Sequence, residues 1–157
     1  MSGYHWLLTL HVTGAFLLLA GSTIAGLLQL LALRTDRPSE IAQLLGLIRV
    51  ALPLVALGAV LTLVLGLWLV HHVGYSYSTF WVWGAIVLWV VANILGKVGG
   101  EKQEQARKLA TRLAGEGDTE SAELRALLRD PVSNAMSWAA DAAIYGILVL
   151  MIWKPGQ

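Results

Sequence analysis

The sequence predicts an all-α protein, a four-transmembrane-helix up-down bundle with a cytoplasmic helical hairpin between spans three and four. Three observations predict this class. Hydrophobic residues make up 57% of the chain and charged residues only 13%, a balance unlike that of water-soluble globular domains. The apolar residues fall into four runs, each close to the length that crosses a bilayer. The charged residues collect between these runs.

The four runs define the spans of one membrane domain, residues 1–157. A bilayer core of about 30 Å is crossed by about 20 residues in helical form. The N-terminal run differs from a secretory signal, because no Lys or Arg precedes Arg34 and the apolar stretch continues to Leu33. We therefore expect it to be retained as the first span. The predicted spans lie at about residues 5–33, 52–73, 80–98 and 136–153.

The connection at residues 34–51 carries a helical pattern. Ser39 follows Pro38 as the predicted N-cap, and apolar residues then recur at helical spacing. This pattern predicts a short interfacial helix that leads into span two.

The connection at residues 99–135 is the one substantial polar segment. Gly115 and Gly117 separate its two halves, each of which reads as a short helix. Asp118 or Thr119 is the predicted cap of the second helix. The two helices form the predicted hairpin.

The distribution of basic residues predicts the orientation. Ten of the eleven Lys and Arg residues fall within 34–51 or 97–135, and only Lys154 falls elsewhere. Because Lys-rich and Arg-rich loops are retained in the cytoplasm, both connections should lie inside. Both termini and the turn at 74–79 should then lie outside.

Several classes of site are excluded. The chain has no cysteine, which removes disulfides, iron–sulfur clusters and thiolate metal sites. The net charge of +1 gives no reason to expect a nucleic-acid partner. No phosphate-binding loop, zinc-protease helix or nucleophile–base pairing is present, so the sequence leaves open whether the protein is an enzyme.

Four histidines are predicted to share the outer leaflet, because the start of span one and the end of span two lie on the same side. An ionisable residue inside a span, such as His11, indicates a function by default. Gly14, one turn away, leaves a gap of the kind that a porphyrin face requires. Neutral imidazoles on neighbouring helices can bind a metal or hold b-type haem within a bundle. The predicted cofactor is therefore haem b or a metal, bound by His11 with His71 or His72, beside Gly14.

Two other interpretations of the histidines stay open. A membrane histidine often bonds between helices, and His11 could bond Thr9, Thr62 or a backbone carbonyl. The second interpretation is a copper site formed by His5, His11 and His71. The chain lacks the Met-rich or Cys-rich sequence usual for copper handling.

Polar residues also lie near the cytoplasmic ends of spans three and four. Asp141 lies about one turn into span four, and Asn93 and Lys97 lie at a matching depth in span three. One interpretation is a polar clamp between helices, in which Asp141 contacts Asn93, Lys97 or Arg49. The other is a carboxylate that relays protons or handles a substrate.

Tryptophans are predicted to form an aromatic belt at the outer boundary. Two of them, Trp81 and Trp83, could instead line a ring-shaped cofactor. The belt residues are Trp6, Trp68, Trp81, Trp83 and Trp153.

Three segments of the sequence carry a family resemblance. They are YHWLLTLHVTGAFLLLAGSTIAG at the start, GYSYSTFWVWGAIVLWV in the middle and LMIWKPGQ at the end. They resemble a bacterial family of predicted four-span integral membrane proteins with a domain of unknown function and a similar K-P-G tail. The likeness covers nearly the whole chain, and it implies residence in the bacterial cytoplasmic (inner) membrane.

The stretch LHVTGA around His11 is similar, more loosely, to the first spans of two other groups of small membrane proteins. These are the copper-resistance D family and the J-type protoporphyrinogen oxidases. The second likeness implies that haem b is bound through His11. The oxidase pattern also has an arginine further along the first span, where this chain has Leu17, Leu18 and Leu19, and this departure weighs against oxidase activity.

Two functions follow from these patterns. The first is a membrane protein that binds haem b or a metal for electron transfer, with quinone in the surrounding lipid bilayer as an expected redox partner. The alternative is a non-catalytic accessory or assembly subunit that docks to other membrane protein subunits of a larger complex.

Overall fold

The computed structural model describes residues 3–155 and contains five α-helices within that range, with no strand there. Four of the helices are long and apolar enough to cross a membrane, so the predicted four-span all-α class is confirmed. Residues 1, 2, 156 and 157 of the predicted domain, including the end of the K-P-G tail, lie outside the described residues. The helices are α1 (Gly3–Ala32), α2 (Pro38–Val73), α3 (Phe80–Gly115), α4 (Ala122–Leu128) and α5 (Pro131–Trp153).

Helices α2 and α3 extend well beyond the spans predicted within them, and α5 begins at Pro131, before the predicted start at 136. The predicted interfacial helix is the first part of α2, and the first predicted helix of the hairpin is the last part of α3. Pro53 lies at the first junction, and α2 continues through it. Gly99 and Gly100 fall at the second junction, and the helix continues through them. Gly99 is buried there against α5.

The capping differs from the prediction at both connections. Arg37, not Ser39, is the N-cap of α2, with Pro38 as the first helical residue. Asp118 does not cap α4, whose N-cap is Ser121. Asp118 instead accepts hydrogen bonds from the backbone N–H and the hydroxyl of Ser39, each 2.7 Å long. It therefore satisfies a free N–H at the start of a helix distant in sequence.

Consecutive long helices run antiparallel. Helix α1 packs against α2, α3 packs against α5, and the α2–α3 and α1–α5 contacts close the bundle. The starts of α1 and α3 and the ends of α2 and α5 thus share one end, which we call the aromatic end. The opposite end, with both polar connections and α4, is the charged end.

Small residues bring α1 and α2 close together. A Cβ added to Gly58 would lie 2.5 Å from the backbone nitrogen of Leu18 and 2.8 Å from the carbonyl oxygen of Gly14. Gly21 is similarly close to Val55. Such close approach is the usual basis of helix association in lipid, where apolar side chains gain little by leaving the solvent.

The α3–α5 seam uses the same principle with an added hydrogen bond. Gly99 packs against Ser133 and Ser137, and a Cβ at Gly99 would lie 2.9 Å from the backbone nitrogen of Ser137. The buried Ser133 hydroxyl donates to the Gly99 carbonyl oxygen at 2.7 Å. The bond joins the two helices and satisfies a buried hydroxyl.

The charged end has its own hydrophobic core. Leu124 of α4 is almost fully buried between the extended parts of α2 and α3. Each fully buried Leu or Ile in such a core contributes roughly 1.5–3 kcal/mol. The core comprises Ala32, Ile41, Leu45, Ile48, Ala106, Ala110, Leu124 and Leu128. It holds the polar connections against the bundle.

Candidate functional site

His11 of α1 is partly buried against α2. Its Nδ1 lies 3.0 Å from the carbonyl oxygen of Thr62, one of the interhelical partners expected from the sequence. A carbonyl oxygen only accepts, so Nδ1 carries the proton and donates. In the neutral ring, Nε2 keeps its lone pair, and no described residue donates to it.

A glycine on α2 makes room for the imidazole. A Cβ added to Gly66 would lie 2.9 Å from Cε1 and 3.3 Å from Nδ1 of His11. The absence of a side chain at Gly66 and the bond to Thr62 together fix the position of the ring.

His11 lines a cavity of about 390 Å³ between the four long helices near the aromatic end. We call it the histidine cavity. Its walls are mostly aliphatic and aromatic, with contributions from Leu67, Val70 and Ala85. Cavities of roughly 300–1,000 Å³ with apolar walls and a few polar groups are typical of small-molecule sites.

Two buried polar atoms belong to residues that line the histidine cavity. Trp81 is only 3% exposed, yet its indole Nε1 has no hydrogen-bond partner among residues 3–155. The hydroxyl Oγ1 of buried Thr62 is likewise unpaired within that range. Buried indole and hydroxyl groups usually find partners. Two residues of the lining thus keep a buried polar atom without a protein partner among residues 3–155.

A cation and a thioether complete the lining of the histidine cavity. The ammonium of Lys154 lies 5.2 Å from the ring centroid of Tyr75 and 5.5 Å from that of Trp81. Both distances are within the range of a cation–π contact. Met151, one helical turn before Lys154, also lines the cavity.

The other histidines lie elsewhere at the aromatic end. His71 and His72 are exposed in the last turn of α2, and His72 stacks on Tyr4 with ring centroids 6.4 Å apart. His5 contacts the edge of the same tyrosine ring. No group of three His, Asp or Glu side chains suited to a metal occurs within 3–155, so His5, His11 and His71 do not form a copper site there.

Gly14 occupies a different position from the one expected. A Cβ added there would lie 2.7 Å from Cβ of Leu61 and 3.0 Å from the nitrogen of Thr62. Gly14 therefore provides close packing of α1 on α2. The gap beside the imidazole is at Gly66 instead.

Asp141 lies in a second cavity, of about 750 Å³, nearer the charged end. It lies against α1, where a Cβ added to Gly26 would be 3.3 Å from its Oδ2. Lys97 and Asn93 also line this cavity, but the Asn93 amide donates to the Trp89 carbonyl at 2.8 Å. In the described part of the chain, Asp141 has no hydrogen bond or ion pair. The predicted clamp through Asp141 does not form.

Other residues provide the polar links between α1 and α5. The Gln29 amide donates to the Asn134 side-chain oxygen at 2.7 Å. The hydroxyls of Thr23 and Tyr145 are also 2.7 Å apart. These two bonds join the helices on either side of Asp141 and leave its carboxyl group available.

Comparison with known families agrees with this architecture. A family model described as predicted integral membrane protein (DUF2269) matches residues 5–155. The chain belongs to this family. No curated protein and no solved structure matches the chain. Membership of this family confirms the predicted family resemblance and the integral membrane character, and the four apolar helices agree with both.

The sequence predicted only some features of this family member's histidine cavity. It offered Thr62 or a backbone carbonyl as a partner of His11, and the observed acceptor is the Thr62 carbonyl oxygen. Gly58 and Gly66 lie on one small-residue ridge of α2, but their spacing does not show that the imidazole of His11 packs against Gly66. Trp81 is buried at 3% exposure, whereas Trp83 is 46% exposed, as expected of a belt residue.

Proposed function

We propose that this integral membrane protein binds b-type haem in the histidine cavity, where His11 would hold the iron, and that it serves electron transfer. One observation carries the proposal. The Nδ1–H of His11 donates to a backbone carbonyl, and Nε2 has no protein partner among the described residues. Metal-binding histidines almost always show this pattern, because the outer bond fixes the tautomer and orients the ring.

The remaining lining of the histidine cavity is chemically suited to haem. Its aliphatic and aromatic walls match an apolar macrocycle. Met151 offers a thioether that could also bind the iron, and Lys154 offers a cation that would pair with a propionate. Haem bound there would supply one-electron redox chemistry. His11 would hold the iron, and the apolar walls would exclude water.

The ligand set we propose is narrower than the one expected from the sequence. His71 and His72 are exposed and contribute no lining to the histidine cavity. Their roles as ligands stay predictions, and we assign the histidine ligand to His11 alone. Gly66, rather than Gly14, provides the space beside the imidazole.

The test is spectroscopic. Full-length protein is purified in detergent after expression with a haem precursor, and its dithionite-reduced minus oxidised spectrum is recorded. We expect a b-type α band that His11→Ala abolishes. His72→Ala is the matched control and should retain the band. Met151→Leu should alter the band if the thioether is the second ligand.

Two results would overturn this function. One is a His11→Ala protein that retains the full α band. The other is a colourless wild-type protein that takes up no added haem and co-purifies with other membrane subunits. The second result would favour the accessory-subunit function instead.

We also propose that the charged end faces the cytoplasm of a bacterial cell, with both chain termini outside. The support is the location of ten of the eleven Lys and Arg residues near that end. The histidine cavity would then lie in the outer half of the inner membrane.

A further inference from the structure

We infer that the bundle contains a second binding site, near the charged end, in which the carboxylate of Asp141 binds a hydrophobic organic cation. This inference goes beyond haem binding and does not depend on it. The site is the 750 Å³ cavity around Asp141, which we call the aspartate cavity.

The aspartate cavity is large enough for a small molecule and is apolar in its deep part. Leu18, Val55, Ala59 and Ile144 line it between the long helices. The volume lies within the range of roughly 300–1,000 Å³ typical of small-molecule sites. These walls would take up the hydrophobic body of a ligand.

Asp141 gives the aspartate cavity its charge preference. A carboxyl group within a membrane span is costly and is by default a functional residue with a partner to be found. The described chain offers Asp141 no such partner, because its polar neighbours bond elsewhere. Gln29 bonds Asn134 and Asn93 bonds the Trp89 carbonyl. A cationic ligand would supply the missing charge.

The basic residues around the aspartate cavity do not replace that cation. Glu104 accepts two hydrogen bonds from Arg107, at 2.7 and 2.8 Å, and lies 3.9 Å from the Lys108 ammonium. Arg107 is therefore paired with Glu104, and Lys108 lies near the same carboxylate. Lys97 and Arg49 are exposed, and no ion pair joins either of them to Asp141.

Among the lining residues, Trp89 favours a cation over a neutral ligand. Its indole N–H donates to the Ala59 carbonyl oxygen at 3.1 Å, which fixes the ring between the helices. Cations are attracted to an indole face, most strongly where water is excluded. A fixed indole, a carboxylate and aliphatic walls together match a hydrophobic ammonium or phosphonium ion.

The two cavities are adjacent, but binding in each can be tested separately. Leu18, Trp89, Ile144 and Ile147 line both cavities and form a common apolar layer. The polar groups on each side differ, with His11 on one and Asp141 on the other. A change at one polar group should therefore leave binding at the other intact.

The experiment uses a charge-reversed pair of probes of nearly the same shape. Tetraphenylphosphonium and tetraphenylborate are titrated separately into full-length protein in detergent, and binding is followed by calorimetry. We expect saturable binding of the cation and none of the anion. Asp141→Asn should weaken cation binding about tenfold, as expected of one charge pair at reduced dielectric.

Three variants separate the causes of any loss of binding. Glu123→Gln, on the exposed face of α4, removes the same charge far from the cavity and should bind as wild type. His11→Ala should also bind as wild type, which distinguishes this site from the proposed haem site. Ala56→Phe fills the aspartate cavity while keeping Asp141, and should weaken binding even if Asp141→Asn does not fold.

Three outcomes would overturn the inference. Equal binding of the two probes would show that hydrophobicity alone holds them. Cation binding that survives Asp141→Asn and Ala56→Phe would place it elsewhere. Wild-type protein that binds neither probe would show that the aspartate cavity takes no hydrophobic cation.

Discussion

Nδ1 of His11 lies 3.0 Å from the carbonyl oxygen of Thr62, and this hydrogen bond joins the imidazole of α1 to the backbone of α2. The imidazole rests on Gly66. The two contacts leave one nitrogen for a ligand and fix where it lies. The geometry of the histidine cavity therefore depends on the glycine as much as on the histidine.

The first prediction tests this dependence. In Gly66→Ala, the added Cβ would lie 2.9 Å from Cε1 of His11, so the ring must shift by a few tenths of an ångström. We expect haem affinity to fall about tenfold, since a displaced ligand loses roughly 1.4 kcal/mol or more of binding energy. Haem titration monitored by absorbance provides the measurement.

The control for this prediction is Gly46→Ala, on the same helix, where an added Cβ has nothing within 4 Å. It should titrate as wild type does. Unchanged haem affinity in Gly66→Ala would show that the ring position is not critical.

The second prediction concerns the α1–α2 seam. Gly58→Ala places a Cβ 2.5 Å from a backbone nitrogen and 2.8 Å from a carbonyl oxygen, so the helices themselves must separate. Forced overpacking of this kind typically costs about 1–3 kcal/mol. We expect a lower midpoint of thermal unfolding in detergent, while Gly100→Ala, with an open site, should match wild type. A wild-type midpoint for Gly58→Ala would contradict the packing described.

The span count followed from the sequence because lipid imposes one requirement on every spanning segment, an apolar helix about 20 residues long. The helix ends did not follow, because α2 continues through Pro53 and α3 continues through Gly99 and Gly100, although Pro and Gly commonly mark a helix boundary. Both helices extend into the charged end.

The candidate site was only partly predictable for a related reason. Helical periodicity showed that His11 faces other helices, but it does not give the rotation of α2. That rotation decides whether Gly14 or Gly66 lies beside the ring. The sequence likewise does not give the rotation of α3 against α5, and Asn93 bonds along its own helix instead of meeting Asp141.

The third prediction concerns pH and the start of α2. Two hydrogen bonds from Ser39 hold the pKa of the Asp118 carboxyl below its ordinary value of 3.8. A carboxyl whose pKa is lowered by folding stabilises the folded state when ionised. Its contribution is therefore complete above pH 3.8 and is lost as the pH falls through the folded value.

We therefore expect Asp118→Ala to lower the unfolding midpoint at neutral pH and the difference from wild type to shrink as the pH falls below 3.8. Thermal unfolding over this pH range checks both parts. Glu116→Ala, in the same connection, removes a similar charge without a bond to Ser39 and serves as the control. A difference that stays constant to the lowest pH at which the protein folds would refute the assignment.

The last prediction concerns orientation, and the absence of cysteine from the chain makes it simple to test. Single cysteines are introduced as Ser76→Cys in the turn at the aromatic end and Thr119→Cys in the connection at the charged end, both exposed. In intact bacterial cells, a membrane-impermeant maleimide should label position 76 and leave position 119 unlabelled until the cells are permeabilised. The reason is that Lys and Arg near the charged end resist translocation, so that end stays in the cytoplasm. Labelling of both positions in intact, sealed cells would contradict the four-span topology. Labelling of position 119 alone would show the opposite orientation and would place the histidine cavity in the inner half of the membrane.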